Sequence, residues 1–304
     1  MKKVESQTKP PLTQQLRALE DRKSDIEAAI DAIQLPILGA RQLKDLLRQV
    51  AQRNFRLDQP APIDLIRFLI RRSHLEKIEF KTPRVETLYT WRTADPYQLM
   101  PTLRPNGYYT HMTALHLHGL LDQEPNSIYF NQEQPARSSL GHLEQARIDA
   151  AFQRQQRVTS ARTTHRGKVY WLLNGKQTGS RGVVMMNAPS GAQIAATGLE
   201  RTLIDIAVRP AYAGGTKSVL LAYRQAQPRV SIAKLSRTLR ALNFVYPYHQ
   251  SVGFYIEAAG NYADKAIRTF MNFQPFEFDF YLDYGMQSPA YSTKWRIHYP
   301  SNLT

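Results

Sequence analysis

The chain predicts an α+β fold in two parts: a winged helix-turn-helix over residues 1–92 and a mixed α/β domain over residues 93–304. Three observations carry this reading. Residues 1–92 have the apolar spacing of three helices followed by a two-stranded hairpin. The remainder opens with strand-like stretches and then turns strongly helical. The basic charge is also uneven. A net charge of +15 divides into +6 for residues 1–92, −3 for 93–136, +7 for 137–181 and +5 for 182–304. An excess of this size favours an anionic polymer or surface as partner over a small neutral substrate.

At 304 residues, 42% apolar and 21% charged, the chain has the composition of a globular protein with room for two cores. It contains no cysteine, which excludes disulfides, thiolate zinc sites and a cysteine nucleophile. That composition suits a reducing compartment, and the expected location is cytoplasmic. The stretch Met1-Lys2-Lys3-Val4-Glu5-Ser6 is basic but no apolar run follows it, so no secretory signal is expected. No apolar run approaches the ~18 residues needed to span a bilayer, so a membrane is not an expected partner.

Residues 1–11 read as an unstructured lead punctuated by Pro10-Pro11. From Leu12 to Ile33, the residues Leu16, Leu19, Ile26, Ile30 and Ile33 line one side of a helix, which Pro36 and Gly39 end. Leu43, Leu46, Leu47 and Val50 predict a second helix, with Arg41, Lys44 and Arg48 on its other side. The third helix follows Pro62. Ile63, Ile66, Leu69 and Ile70 are expected to face inward, while Asp64, Arg67 and Arg71 form an outward row flanked by Arg72. Leu75–Phe80 and Val85–Trp91 read as strands joined by Lys81-Thr82-Pro83-Arg84.

In a winged helix-turn-helix the third helix enters the major groove and the hairpin touches the backbone. Arg67, Arg71 and Arg72 are then the groove-facing candidates. Lys77, Lys81 and Arg84 would sit on the wing, and Arg41, Lys44 and Arg48 would hold phosphates. Double-stranded DNA is the partner this pattern implies. A protein-docking role for the same module stays open, since basic stripes are also ordinary solvated faces.

Asp95 to Pro105 reads as a linker. Thr110 starts a short helix that Gly119 ends, and Ser127–Asn131 is a strand. His111, His116 and His118 lack the spacing of four that puts two ligands on one helical face, so structural histidines are expected and no metal. Leu140–Phe152 is a helix. Thr159–Thr164, Lys168–Leu173 and Gly182–Met186 are strands, with Asn174-Gly175 read as a hairpin turn. Around them lies the densest basic block. Arg154, Arg157, Arg162, Arg166 and Lys168 are candidates for a second nucleic-acid surface, or for a solvated sheet face. Helices at 198–208, 215–226, 231–243, 249–260 and 263–272 follow, then strands near Phe276–Tyr284 and Tyr291–Tyr299.

Three stretches carry more than periodicity. One runs Thr197-Gly198-Leu199-Glu200-Arg201-Thr202-Leu203-Ile204-Asp205 and continues as Arg209-Pro210-Ala211-Tyr212-Ala213-Gly214-Gly215. Thr197 and Glu200 have the spacing of a capping box, and Arg201 and Asp205 can pair on the exposed side of the helix. The second is Gly107-Tyr108-Tyr109-Thr110-His111-Met112-Thr113-Ala114-Leu115-His116-Leu117-His118-Gly119-Leu120, and the third is Tyr248-His249-Gln250-Ser251-Val252-Gly253-Phe254-Tyr255-Ile256-Glu257. In this order they resemble segments of the AbiEi-type antitoxin and transcriptional-regulator family of bacterial type IV toxin–antitoxin and phage-defence loci. The resemblance implies an antitoxin-type α/β domain behind a DNA-binding N-terminus. It also implies repression of the chain's own operon and opposition to a nucleotidyltransferase-type toxin. A non-catalytic subunit of another defence system is the alternative.

An enzyme is the rival class. Gly179-Ser180 is similar to the Gly-Ser of a nucleotidyltransferase, but that site needs nearby paired carboxylates to hold Mg²⁺, and only Glu200 and Asp205 follow within about thirty residues. Glu277, Asp279 and Asp283 would share one face of a strand, where they could hold a metal or simply be solvated. No Gly-rich phosphate loop or Gly-x-Ser-x-Gly elbow is present. No catalytic residue, cofactor or metal is expected.

Overall fold

The computed structural model describes residues 12–34, 36–55, 59–82, 85–135 and 143–303, with backbone alone for 12–15. The chain divides into two compact units, Met1–Pro105 and Asn106–Thr304.

In the first unit the helix expected over 12–33 is two helices, α1 (Leu12–Asp21) and α2 (Lys23–Asp31). Arg22 breaks them apart with φ −105° and ψ 9°. The break lets α1 lie against the helix Pro62–Arg72 while Ile26 and Ile30 of α2 enter the core; Leu16 is left exposed. Strand β1 (Ile37–Gly39), unseen in the periodicity because it is so short, comes next. It leads into α3 (Ala40–Asn54) and α4 (Pro62–Arg72), then β2 (Leu75–Phe80) and β3 (Glu86–Trp91). The three strands form an antiparallel sheet in the order β1-β3-β2.

Leu43, Leu47 and Val50 of α3 meet Leu65, Phe68 and Leu69 of α4 in one core with Leu75, Tyr89 and Trp91 of the sheet. Asp31 ties the end of α2 to the end of β3. Its carboxylate accepts from Trp91 Nε1 at 2.7 Å and from Arg92 Nε and Nη2 at 2.8 and 2.9 Å. These hydrogen bonds, Arg92's first, hold its pKa down at about 2. The stretch expected as a linker contains α5 (Leu99–Leu103), which packs on β1 with Leu99 and Met100 buried.

The second unit opens with β4 (Tyr108–Tyr109), α6 (His111–Leu117), β5 (Ser127–Glu133) and α7 (Gln145–Phe152). Strands β6 (Arg162–His165), β7 (Lys168–Gly175), β8 (Val183–Asn187) and β9 (Gln193–Thr197) complete a six-stranded sheet ordered β6-β7-β5-β4-β9-β8. β7 runs parallel to β5, and β4 parallel to β9. Asn174-Gly175 is therefore no hairpin turn: β7 stays paired with β5 as far as Gly175 opposite Glu133. The glycine is required there for another reason. Its amide donates to Asn131 Oδ1 at 2.8 Å, and a Cβ at 175 would lie 2.6 Å from that same oxygen.

Helix α8 (Leu199–Val208) follows, with a 3-10 turn (Pro210–Ala213), α9 (Thr216–Ala226), α10 (Ile232–Leu242), α11 (Tyr248–Ala259) and α12 (Asp264–Met271). A small sheet ordered β10-β12-β11 ends the chain, built from β10 (Phe280–Tyr281), β11 (Ala290–Ser292) and β12 (Ile297–Tyr299). The long strand expected over 276–284 is thus only two residues. Glu277, Asp279 and Asp283 do not share a strand face; Asp279 instead accepts from Arg296 Nε at 2.9 Å and from the Tyr291 hydroxyl at 2.7 Å.

Helix α8 sits at the centre, touching α6, α9, α10 and α11. Every residue from Glu200 to Ala207 is buried. The stretch Tyr248–Glu257 fastens the C-terminal segment to this core. Gln250 Nε2 donates to the carbonyls of Phe278, Trp295 and Arg296, and the Trp295 ring packs against Gly253. Among the described residues no helix is long and apolar enough to cross a membrane.

Candidate nucleic-acid interface and a buried polar cluster

The exposed face of α3 carries Arg41, Lys44 and Arg48, because Leu43, Leu47, Val50 and Ala51 turn the opposite face inward. Arg48 pairs with Asp45 at 2.8 Å on that open surface. On α4 the buried positions are Leu65, Ile66, Phe68 and Leu69, which leaves Arg67, Arg71 and Arg72 exposed. Ile63 and Ile70, expected to face inward, are 45% and 39% exposed and share this outer face with Arg67. Arg67 reaches Asp64 at 3.5 Å. Lys77 lies exposed on β2 paired with Glu79, and Lys81 is exposed just beyond the strand. Arg84 lies outside the described residues. The ion pairs here are solvent-exposed and worth about 0–1 kcal/mol each, so an anion that displaces them meets little resistance.

The basic block of the second unit is spread more widely. Arg154 and Arg157 are exposed in the segment between α7 and β6. Arg162 stands on the edge strand β6 opposite Trp171, with its guanidinium 4.9 Å from that ring. Lys168 pairs across β6 with His165, three residues from Arg162, and the alternation of a strand puts these two cations on opposite faces. Lys168 is also engaged with Glu124 at 2.6 Å. Arg166 occupies the β6–β7 turn with φ +46°. Sheet geometry therefore splits the block.

Where the three longer stretches meet, the second unit holds a buried polar cluster. Arg201 Nε donates to Asp205 Oδ1 at 2.7 Å, and the two side chains are only 7% and 8% exposed. This pair was expected on the outside of α8; the helices around α8 leave it no outside. Arg201 also donates to Thr178 Oγ1 at 3.2 Å and to the Arg181 carbonyl at 2.7 Å. Asp205 Oδ2 accepts from Thr110 Oγ1 at 3.0 Å. That hydroxyl has a single proton, so at its 3.1 Å contact with His111 Nδ1 the ring nitrogen is the donor. His111 Nε2 is then a buried lone pair with no partner among the described residues. Burial pushes the His111 pKa down to about 4, so the ring is neutral at pH 7. Its backbone holds φ +52°, a left-handed conformation uncommon outside glycine.

One sequence expectation gives way to tertiary contacts here. Thr197 and Glu200 form no capping box. The cap of α8 is Gly198; Thr197 Oγ1 meets Thr202 Oγ1 at 2.8 Å, and Glu200 accepts from Ser231 N and Lys234 Nζ at 3.1 and 2.8 Å. The amides of the Gly179-Ser180 loop are not open to a phosphate either. Glu133 already takes the N–H groups of Thr178, Gly179 and Ser180 at 2.7, 2.9 and 3.2 Å, and the Tyr108 hydroxyl at 3.0 Å. Burial would raise the pKa of Glu133, but these bonds outweigh it and hold the carboxyl below its ordinary range. His118 is structural, bonded through Nε2 to the Thr197 carbonyl at 2.8 Å. Among the described residues no group of three His, Asp or Glu could hold a metal.

Several residues around the cluster carried no signal of their own in the sequence. In the sequence Arg209, at the C-cap of α8, is only one member of a motif, and Asn131 only the end of a strand. Both line a cavity whose composition becomes visible once β5, α8 and α11 are assembled.

No family model matches the chain, and no curated protein matches it significantly in sequence. In fold it is similar to the crystal structure of the Rv2827c protein from Mycobacterium tuberculosis, with a TM-score of 0.60 at 13% identity, covering 93% of this chain and 91% of that one. At that identity the likeness speaks for the mixed helix-and-sheet architecture alone.

Proposed function

We propose that the chain is a DNA-binding transcriptional repressor and antitoxin of the AbiEi type, acting on its own promoter and opposing a nucleotidyltransferase-type toxin. The observation that carries the DNA half is the outer surface of α3 and α4. Arg41, Lys44, Arg48, Arg67, Arg71 and Arg72 stand exposed on two consecutive helices, ahead of a hairpin bearing Lys77 and Lys81. The strand order β1-β3-β2, with β1 before the two helices, supports a winged helix-turn-helix, in which α4 would enter the major groove. Support for the antitoxin half comes from the three matched stretches, which converge on α8: Thr110 bonds Asp205, and α11 packs against α8.

A mobility-shift assay with upstream DNA against random duplex tests the reading. Arg67→Ala with Arg71→Ala should cost about 1–3 kcal/mol per residue in specific binding and erase discrimination, whereas Lys81→Ala should weaken all duplexes about equally. No preference of the wild type for upstream DNA at physiological salt would sink the repressor half. Failure to rescue cells expressing the adjacent toxin would sink the antitoxin half. The exposed Ile63 and Ile70 favour a second reading of α4 as a protein-docking face. Under that reading Ile63→Ser would abolish partner binding and leave DNA affinity unchanged.

The basic block of the larger unit is a proposed second contact, carried by Arg154, Arg157 and Arg162 with the Arg166 turn. Each phosphate contact lowers log K by about 0.9 per tenfold rise in salt. Reversing Arg157 and Arg162 to Glu is expected to reduce the salt slope by roughly two units without altering sequence preference. An unchanged slope removes this surface from the DNA interface.

A further inference from the structure

The larger unit encloses a cavity of about 320 Å³ that neither DNA binding nor repression uses. One side is the polar cluster of Thr110, His111, Arg201 and Asp205. The other is aromatic, formed by Phe244, Tyr246, Tyr248 and Tyr284. Its volume is at the lower end of the range for small-molecule pockets, about 300–1,000 Å³.

The charge of the cavity is unbalanced. Asp205 is spent on Arg201 and Thr110. Arg209 and Lys176 also line the space, and among the described residues neither pairs with a carboxylate. Lys176 Nζ donates only to the carbonyls of Leu242 and Asn243 at the end of α10, and Arg209 stands at the end of α8. A helix C-terminus supplies about half a negative charge. Two cations at two such ends therefore keep roughly one net positive charge between them. Lys176 is exposed, and the partial desolvation of its ammonium beside the α10 end lowers its pKa.

A donor is also left over. Asn131 is 6% exposed and lines the cavity; its Oδ1 accepts from Gly175 N, while its Nδ2 has no acceptor among the described residues. Asn131 lines the cavity, so this donor is available to a ligand oxygen there. The walls are held in place independently of any ligand, since the Arg201–Asp205–Thr110–His111 chain braces one side and Tyr248 is fully packed on the other.

We propose that this cavity binds a small anion of the nucleoside monophosphate class, which joins a planar base to a phosphate. Arg209 and Lys176 take the phosphate, the aromatic side chains take the ring, and Asn131 donates to a ligand oxygen. A flat ring suits a wall of four aromatic side chains, and a phosphate suits two cations that lack carboxylates. A neutral metabolite would leave the charge unmet, and inorganic phosphate would leave the aromatic wall empty.

Calorimetric titration of the full chain, without DNA, with AMP, GMP, CMP and UMP tests this apart from the repressor reading. Adenosine and inorganic phosphate serve as the two half-ligands. At least one nucleotide should saturate with a Kd below about 1 mM, and each half-ligand should bind at least tenfold more weakly. Arg209→Gln should weaken the nucleotide at least tenfold while keeping the thermal midpoint. If that variant unfolds, Lys176→Gln, at an exposed lysine, takes its place with the same expected loss. Absence of saturation by all four nucleotides at millimolar concentration would overturn the proposal. So would phosphate binding as tightly as any nucleotide, or wild-type affinity in the folded variant.

Discussion

Asp205→Ala should destabilise the larger unit by about 3–5 kcal/mol, because it leaves a nearly buried guanidinium without its carboxylate. Arg201 and Asp205 are 7% and 8% exposed and meet at 2.7 Å. Removing the carboxylate leaves Arg201 with only the Thr178 hydroxyl and the Arg181 carbonyl, and leaves the Thr110 hydroxyl without its acceptor. Replacing both partners together, Arg201→Met with Asp205→Leu, should cost clearly less than Asp205→Ala alone, since no charge then stays buried. Urea unfolding of the full chain, followed at the transition of the larger unit, measures both. A loss under about 1 kcal/mol for Asp205→Ala would mean that solvent reaches the pair, as it does for an exposed salt bridge.

Gly253→Ala is the second large effect, about 3 kcal/mol from one added methyl group, at the upper end for an overpacked core. A Cβ at 253 would lie 2.1 Å from Trp295 Cζ3 and 2.3 Å from Cη2. The indole cannot retreat. Trp295 is fully buried, its Nε1 donates to Glu257 Oε2 at 2.5 Å, and its ring lies 5.8 Å from Phe276. The small C-terminal sheet should therefore detach first, which hydrogen exchange at Phe280 and Ile297 would register before the amides of α8. The expected rescue is Gly253→Ala with Trp295→Phe, which opens room for the methyl. Full stability in Gly253→Ala would show that the indole has freedom the packing denies it.

The helices were legible where their cause is local. α3, α4, α9, α10 and α12 lie within a few residues of the bounds predicted from apolar spacing, because one side of each faces solvent and the other a core. The β2–β3 hairpin was legible for the same reason. α8 marks the limit. Its apolar stripe predicted a helix correctly and an exposed Arg201–Asp205 face incorrectly, since a helix touched by four others has no outward side. Asn174-Gly175 had the chemistry of a turn, yet its glycine serves a close approach by Asn131. The C-terminal strands were overextended because aromatic alternation also describes a segment that clips onto α11 through Gln250 and Trp295.

What the sequence by itself determined is the set of elements whose apolar period matches a single buried face, together with the cations that such faces leave outside: Arg41, Lys44 and Arg48 on α3, and Arg67, Arg71 and Arg72 on α4. What only the tertiary structure decided is every polar contact made across more than one element. The links of Thr110 to Asp205, Glu133 to the Thr178–Ser180 amides and Glu200 to Lys234 join residues from 34 to 95 positions apart. Side-chain hydrogen bonds at such separations leave no period in the sequence. They form because burial makes an unpaired donor or acceptor costly, and which partner satisfies it depends on how the sheet and helices have already packed.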